Sequence, residues 1–367
     1  MIPIARPAFG PEEERAVLEV MRSGRFAQGE RVEAFESAFA VATGARYAVA
    51  TSSGSAALFL ALVAHGVGPG DEVVTSPLTF IATANAIAQA GATPVFADVD
   101  DTLNLGVEAA AALVGPRTRA VVPVHLHGSP ADLPRFAELA RRHGLALVQD
   151  ACQAVGATAA GRPLGAFGTA VYSFYATKNL TTGEGGMVTT DDPDVARACA
   201  ALRHQAYTER PYVHDRVGYN LRMTELQAAI GLVQLGRLPA ITARRRRTAA
   251  RYDAAAPPER FARPAVHPGA CHVYHQYTLR LPAERERDRM RGALAADGVA
   301  TGVYYPVPVH RQPAYRDHAG TCCPNAERAA GDMLSVPVHH ALRDDEVEAV
   351  ARALEKAGRV VGSRLHE

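Results

Sequence analysis

The stretch Ser173-Phe174-Tyr175-Ala176-Thr177-Lys178-Asn179-Leu180-Thr181-Thr182-Gly183-Glu184-Gly185-Gly186 reads as the end of a strand running into a glycine-rich loop, with one lysine at the turn. That lysine stands out by composition. Of the 39 basic residues only Lys178 and Lys356 are lysine, and all the others are arginine. Arginine does not give up its proton in a protein, whereas a lysine amine can be made neutral and nucleophilic, as Schiff-base chemistry requires. A chain that meets nearly every need for positive charge with arginine therefore has a reason to keep an amine at 178. The bland alternative is a leftover from drift, which suits Lys356 on the polar face of its predicted helix.

Around this stretch the chain alternates short apolar strands with helices. Strands are predicted at 47–50, 73–74, 94–97, 120–124, 145–148, 170–175 and 187–190. Helices are predicted at 11–22, 31–42, 55–65, 81–90 and 131–143. Strands this short and this apolar indicate an α/β fold with a mostly parallel sheet covered by helices on both faces. In such sheets ligands bind beyond the carboxyl ends of the strands. Ser53-Gly54-Ser55, His125, Asp150 and Lys178 all fall there. A helix at 224–235 is followed by Pro239 and a second helix ending near 256. The Pro- and Gly-rich segment 256–269 then marks a hinge. Beyond it come a strand at 276–281, a helix at 285–296, a strand at 299–304 and helices at 327–333 and 344–356. This predicts a large domain with an N-terminal arm over 1–255 and a smaller α+β domain over 256–367.

Bulk properties exclude several function classes. A net charge of +1 with mixed signs throughout argues against a nucleic-acid surface, and the basic run 244–247 reads as a solvated helix face. Five cysteines without a CxxC pair make no disulfide framework, which fits a reducing compartment. The N-terminus lacks a charged-then-apolar leader pattern, and no apolar run reaches the roughly 20 residues that span a bilayer. The expectation is a cytoplasmic protein.

Individual residues keep two readings each. Ser52-Ser53-Gly54-Ser55 between a strand and an apolar helix is either a phosphate site at a helix N-terminus or a plain N-cap. Asp150 at a strand end either caps the next loop or faces a pyridine nitrogen, which a carboxylate keeps protonated so that the ring serves as an electron sink. Phe80 is a stacking platform for a flat ring or a core residue. His125 and His127 alternate on one strand and could be two metal ligands or polar-loop histidines. No GxGxxG opens the first βα unit and no GxxxxGK[ST] occurs, so neither dinucleotide nor P-loop motif is present.

Taken together, Thr51-Ser52-Ser53-Gly54-Ser55-Ala56-Ala57-Leu58, the central stretch, and further segments at 70–75, 79–86, 125–133, 150–157, 218–229 and 302–308 resemble the DegT/DnrJ/EryC1/StrS family of sugar aminotransferases. The resemblance implies the fold-type I architecture of pyridoxal phosphate enzymes, over nearly the whole chain. It implies that Lys178 forms the Schiff base with pyridoxal 5'-phosphate and that Asp150 holds the pyridine nitrogen. Phe80 would stack on the ring, with Gln153 near the ring hydroxyl. Gly54, Ser55, Ala56 and Ser173 would bind the phosphate. Asn220 would reach the cofactor phosphate of a neighbouring subunit, so a homodimer with shared sites is implied. Some relatives carry His where Lys178 stands and dehydrate sugars; Lys places this chain with the transaminases. Departures from the family pattern are His127 for Tyr, Cys152 for Ala and Ala176 for Pro.

The activity so implied is a ping-pong transfer of an amino group from glutamate, or another amino donor, to a keto group of a nucleotide-linked sugar, with pyridoxamine phosphate formed between the two halves. The acceptor pocket is expected around 207–214 and 304–310, with Tyr304 and His310 as candidate contacts. A keto-cyclitol or aminobenzoate precursor would suit the same chemistry. A cofactor-binding regulator without turnover is a second reading, and a metal hydrolase using His125, His127 and Asp150 a third.

Overall fold

The computed structural model describes residues 1–362 apart from 209, 211, 257, 259, 260 and 319. Part of the expected hinge (257, 259 and 260) and of the expected acceptor loop (209 and 211) thus lies outside the described residues.

Strands β1 (Tyr47–Thr51), β2 (Glu72–Thr75), β3 (Thr93–Phe96), β4 (Thr118–Val122) and β5 (Ala146–Asp150) are followed by a small hairpin, β6 (Thr158–Ala159) and β7 (Arg162–Pro163). Then come β8 (Thr169–Ser173) and β9 (Gly186–Thr190). All but the hairpin form one seven-stranded sheet in the order β1-β9-β8-β5-β4-β2-β3. Only β9 runs against its neighbours β1 and β8; every other pairing is parallel. The loop 174–185 that joins β8 to β9 holds no crossover helix, the usual means of a parallel return, and the two strands pair antiparallel. The parallel strands therefore end along one edge, which brings Thr51, Asp150 and Ser173 to the same side.

Both faces of the sheet are dry, which is why its strands read as apolar runs rather than as alternating sequence. In β8 and beyond, Ala170, Tyr172 and Phe174 pack on Val32, Phe35 and Phe39 of the helix Glu30–Thr43, while Val171 turns to the opposite core with Leu58, Leu62 and Val148. Tyr172 and Phe174 meet Phe39 edge to face at 5.0 and 5.3 Å, contacts worth about 0.5–1.5 kcal/mol each beyond the area they bury. The helix Gly54–Ala64 is apolar nearly all round and almost wholly buried, as such helices are.

Three expectations need correction. Pro239 does not divide the following helices: Glu225–Ala255 is one helix of 31 residues. Its N-terminus is fixed by a capping box between Thr224 and Gln227, and a stripe of buried residues runs unbroken past the proline through Gln234, Leu238 and Ile241 to Tyr252. Continuous burial on both sides outweighs the one backbone bond the proline removes. Segment 299–304 is not a strand, because its two ends pair with different partners, Val299 with Ile2 of the arm and Gly302 with Ser335. Met333 opens a strand rather than closing a helix. Helices Val107–Ala111 and Pro193–Arg203 fall in stretches where no element is predicted, although Asp192 followed by Pro193 is a helix-start signal and Asp192 does cap it.

In the C-terminal part β10 (Tyr277–Arg280) pairs antiparallel with β11 (Met333–Val336). Leu279, Met290, Leu294, Leu334, Val350 and Leu354 make its core together with Tyr252 from the end of the long helix. The N-terminal arm lies across this part. Ile2 bonds to Gly298 and Ala300, His339 Nε2 donates to the Pro3 carbonyl at 3.1 Å, and Arg6 forks onto Glu346 at 2.9 and 3.2 Å. Among the described residues no helix is long and apolar enough to cross a membrane.

Candidate active site

At the carboxyl edge of the sheet a cavity of about 530 Å³ opens, within the range of small-ligand sites. Ser53, Gly54, Ser55, Phe80, Asp150, Gln153, Ser173, Lys178 and Tyr304 all line it. These are most of the residues singled out from sequence, gathered from segments more than 200 positions apart.

Asp150 is the last residue of β5 and is buried. Its Oδ2 accepts a 2.7 Å hydrogen bond from Thr83 Oγ1 and its Oδ1 one of 3.1 Å from the Cys152 N–H. Thr83 Oγ1 lies 3.1 Å from Thr79 Oγ1, so the carboxylate is held by a short chain of hydroxyls. Thr83 carries no sequence motif of its own; only its place in the first turn of the helix Ala82–Gln89, facing β5, gives it this role.

Lys178 sits at the tip of the turn after β8, its N–H donating to the Tyr175 carbonyl at 2.9 Å. Its side chain is half-buried. Desolvation lowers its pKa below that of an ordinary lysine, and the neighbouring Cys152 and Asp150 oppose the shift. Because burial pushes the Cys152 thiol well up, Cys152 stays a neutral thiol at physiological pH and Asp150 is the negative partner. An amine eased toward its neutral form beside an anchored carboxylate suits both a nucleophile and a proton carrier.

The helix Gly54–Ala64 points its N-terminus at the cavity. Ser53 caps it, its Oγ accepting from the Ala56 N–H at 3.1 Å. The N–H of Ala56 is therefore already engaged, whereas first-turn N–H groups such as those of Gly54 and Ser55 have no acceptor inside the helix. Gly54 is required by contact: a Cβ there would stand 2.7 Å from Cβ of Ser173 and 3.0 Å from Sγ of Cys152. At Gly186 a Cβ would run into the carbonyl of Ser53. Two glycines thus let β8, β9 and the helix N-terminus close on one another, and Ser173 Oγ is set beside the free amides. This is a cradle for an anion.

Gln153 is fixed by both ends of its amide, accepting from the His127 N–H at 2.7 Å and donating to Tyr305 Oη at 3.0 Å. His127 holds a left-handed backbone (φ 59°) to make that contact. Phe80 stands at the mouth, 60% exposed. Tyr305 of the expected acceptor segment and Glu184 of the glycine-rich loop also line the cavity, together with His275 and Gln276, which carry no signal that sequence reasoning used.

Other candidates lie elsewhere. Asn220 is on the surface, bridged to His204 and outside the cavity lining. His310 is fully buried, bonded through Nε2 to Glu327 at 2.9 Å, and does not line the cavity. His125 is buried with both ring nitrogens engaged, Nδ1 by the Ala131 N–H at 3.0 Å and Nε2 by Gln149 Oε1 at 3.2 Å. Nδ1 must accept, so Nε2 carries the proton, and burial lowers the pKa to about 4. Among the described residues no group of three or more His, Cys, Asp and Glu could hold a metal. The hydrolase reading has no ligand set.

The donor set fits the cofactor that the sequence resemblance implies. An amine can take an aldehyde carbon, a carboxylate a pyridinium N–H, an amide a ring hydroxyl, and a helix N-terminus with two serines a phosphate.

Comparison with known proteins agrees in kind. Residues 7–355 match the model of the DegT/DnrJ/EryC1/StrS aminotransferase family. The chain is 41% identical to the pleiotropic regulatory protein of Geobacillus stearothermophilus, covering 94% of each chain. It is 40% identical to UDP-N-acetyl-3-dehydro-alpha-D-glucosamine 3-aminotransferase of Acidithiobacillus ferrooxidans, covering 92% of this chain and 91% of that one. Among solved structures, DesV of S. venezuelae in complex with a ketimine intermediate superposes with a TM-score of 0.91 at 39% identity, covering 95% of this chain and 94% of that one.

Proposed function

The chain belongs to the DegT/DnrJ/EryC1/StrS aminotransferase family, and from that premise we propose that it moves an amino group from glutamate to a keto group of a nucleotide-linked sugar, using pyridoxal phosphate held at Lys178. The observation that carries the reading is the convergence of Lys178, Asp150 and the amides at Gly54–Ser55 in one cavity. The 40% identity to an enzyme named for a UDP-linked keto-sugar supports the acceptor class.

Lys178, Asp150, Gln153, Ser55 and Ser173 would hold the cofactor, with Phe80 against its ring and Asn220 of a second copy completing the phosphate site. When bound, the cofactor supplies an electron sink that makes the donor's Cα–H acidic. The residues do the rest. Asp150, anchored by Thr83 and the Cys152 N–H, would face the ring nitrogen. With the cofactor bound, the Lys178 amine would take the proton from the donor's Cα and deliver it to the carbon on the far side of the donor nitrogen, a transfer its lowered pKa favours. In the second half-reaction the same amine runs the proton in reverse onto the carbon that bears the new amine. Thr83 and Gln153 keep their partners fixed throughout.

A second reading keeps the site without turnover, as the name of the Geobacillus relative suggests. A lysine eased toward neutrality beside an anchored carboxylate favours turnover. The test is a panel of nucleotide-linked keto-sugars incubated with purified protein, pyridoxal phosphate and glutamate, with product read by mass. Formation of an amino-sugar in step with 2-oxoglutarate is expected. Glutamate consumption with no sugar product would remove the acceptor class, and no reaction with any amine donor would favour the regulatory reading.

A further inference from the structure

The basic run 244–247 is not the plain solvated face that its sequence predicts. Arg247 is exposed, but the helical period puts Arg245 on the buried stripe between Ile241 and Thr248, and it is only 2% exposed. Three arginines are buried among the described residues. Arg203 pairs with Glu36, and Arg287 with Glu284 and Asp288. Arg245 has no carboxylate in reach among the described residues. Its hydrogen bonds both leave Nη1, to the carbonyls of Tyr274 at 2.9 Å and His275 at 3.3 Å, and Nε is buried without a partner. Burying a cation with no counter-ion costs several kcal/mol, so a site that keeps one is built for an anion that arrives.

What Arg245 faces supports this. It lines a cavity of about 220 Å³ roofed by the N-terminal arm. Lys178, His275, Gln276 and Tyr304 line both this cavity and the one described above, so the two meet at the lysine. No acidic side chain lines it, and the charge of Arg6 in its roof is taken up by Glu346. His275, His339 and His340, all in its wall, each leave Nδ1 buried without a partner. Arg245, His275 and His340 thus wall one small space and each carries a buried nitrogen with no partner, while His339, donating through Nε2 to Pro3, offers only a lone pair at Nδ1. At this volume the space admits a small acid and not a nucleotide.

We propose that Arg245 receives a carboxylate of the amino donor, in a pocket beneath the N-terminal arm that opens onto Lys178. The inference rests on the aminotransferase reading only in naming the acid an amino donor. A planar guanidinium binds a carboxylate through paired hydrogen bonds, so the contact would orient the donor as well as attract it. It would select amino acids over simple amines and leave the larger cavity to the acceptor.

The probe is glutarate, which has glutamate's two carboxylates and no amine, titrated by calorimetry into the cofactor-loaded enzyme. Wild type should bind it, Arg245→Gln should bind about 10- to 100-fold more weakly, and Arg245→Lys should fall between. In separate half-reactions the KM for glutamate should rise by the same factor in Arg245→Gln while that for the acceptor stays unchanged. A role confined to holding the Tyr274 and His275 carbonyls would lower the melting temperature and weaken both half-reactions alike, and that outcome would overturn the proposal. So would equal binding of glutarate by wild type and Arg245→Gln. Glutarate binding that depends on Arg245 in a protein that turns over no donor would keep the pocket and refute only the aminotransferase reading. Should Arg245→Gln fail to fold, wild type decides: glutarate must compete with glutamate in the donor half-reaction, and its failure to do so sinks the idea.

Discussion

The two cavities that meet at Lys178 are built on opposite plans. In the larger one the charged side is already satisfied by the protein: Asp150 has Thr83 and the Cys152 N–H, and Gln153 has His127 and Tyr305. In the smaller one Arg245 Nε and three imidazole nitrogens have no partner among the described residues. The partners of Asp150 and Gln153 fix those two groups in place, as a cofactor kept through many turnovers requires. Missing partners leave bonding capacity for a molecule that comes and goes. The difference separates a site that holds from a site that receives.

Substitutions at the lysine should have the largest effect, because it serves both cavities. Lys178→Ala removes the amine that anchors and the base that moves the proton, and turnover should drop on the order of 10⁴-fold or more in a steady-state assay. Asp150→Asn keeps the shape of the larger cavity but not its charge. Its kcat should fall by about 10²–10³-fold with donor KM little changed, a split that would mark the carboxylate as acting on the transition state. Thr83→Val deletes one hydrogen bond to that carboxylate, worth about 1.5–3 kcal/mol, and should cost about 10- to 100-fold in kcat. Equal losses in Thr83→Val and Asp150→Asn would mean that the carboxylate works only when held, and no loss in Thr83→Val would show that its anchoring is dispensable.

The smallest expected effect is on pH dependence, and it belongs to the receiving cavity. Burial lowers the pKa of His339 and His340 to about 4, and the positive charge of Arg245 adds to that lowering in both. A histidine whose folded pKa lies below its unfolded value near 6.5 binds its proton more readily in the unfolded chain. Its contribution to stability is complete above about pH 6.5 and is lost as pH falls from there to about 4. Arg245→Gln should raise both folded pKa values and so make the melting temperature fall less steeply over that window than in wild type. Parallel melting curves in the two proteins would break this link.

The two cavities were also unequally legible in sequence. Lys178, Asp150 and the Ser53-Gly54-Ser55 turn stand at strand ends, and strand ends can be read from short apolar runs and the glycines after them. The parallel sheet follows from the same runs, while the antiparallel β9 depends on the loop before it holding no crossover helix. Thr83 was silent because its role depends on which face of a helix looks at β5. Arg245 was misread because four consecutive arginines look solvated until helical phase sorts them, and that phase was lost when Pro239 was taken as a break. His275, His339 and the arm come together only through tertiary packing of the C-terminal part, which no local pattern encodes.

The central claim is that Lys178 both holds the cofactor and moves the donor's proton. It is tested most directly by the absorbance spectrum of wild type and Lys178→Ala, each loaded with pyridoxal phosphate, recorded before and after glutamate. Wild type should show a protein-bound band that borohydride fixes covalently at Lys178 and that glutamate converts to the amine form within the mixing time of a stopped-flow experiment. Lys178→Ala should bind cofactor without covalent fixation and convert at least about a thousand-fold more slowly. Conversion by Lys178→Ala at the wild-type rate, or borohydride labelling at another residue, would contradict the account.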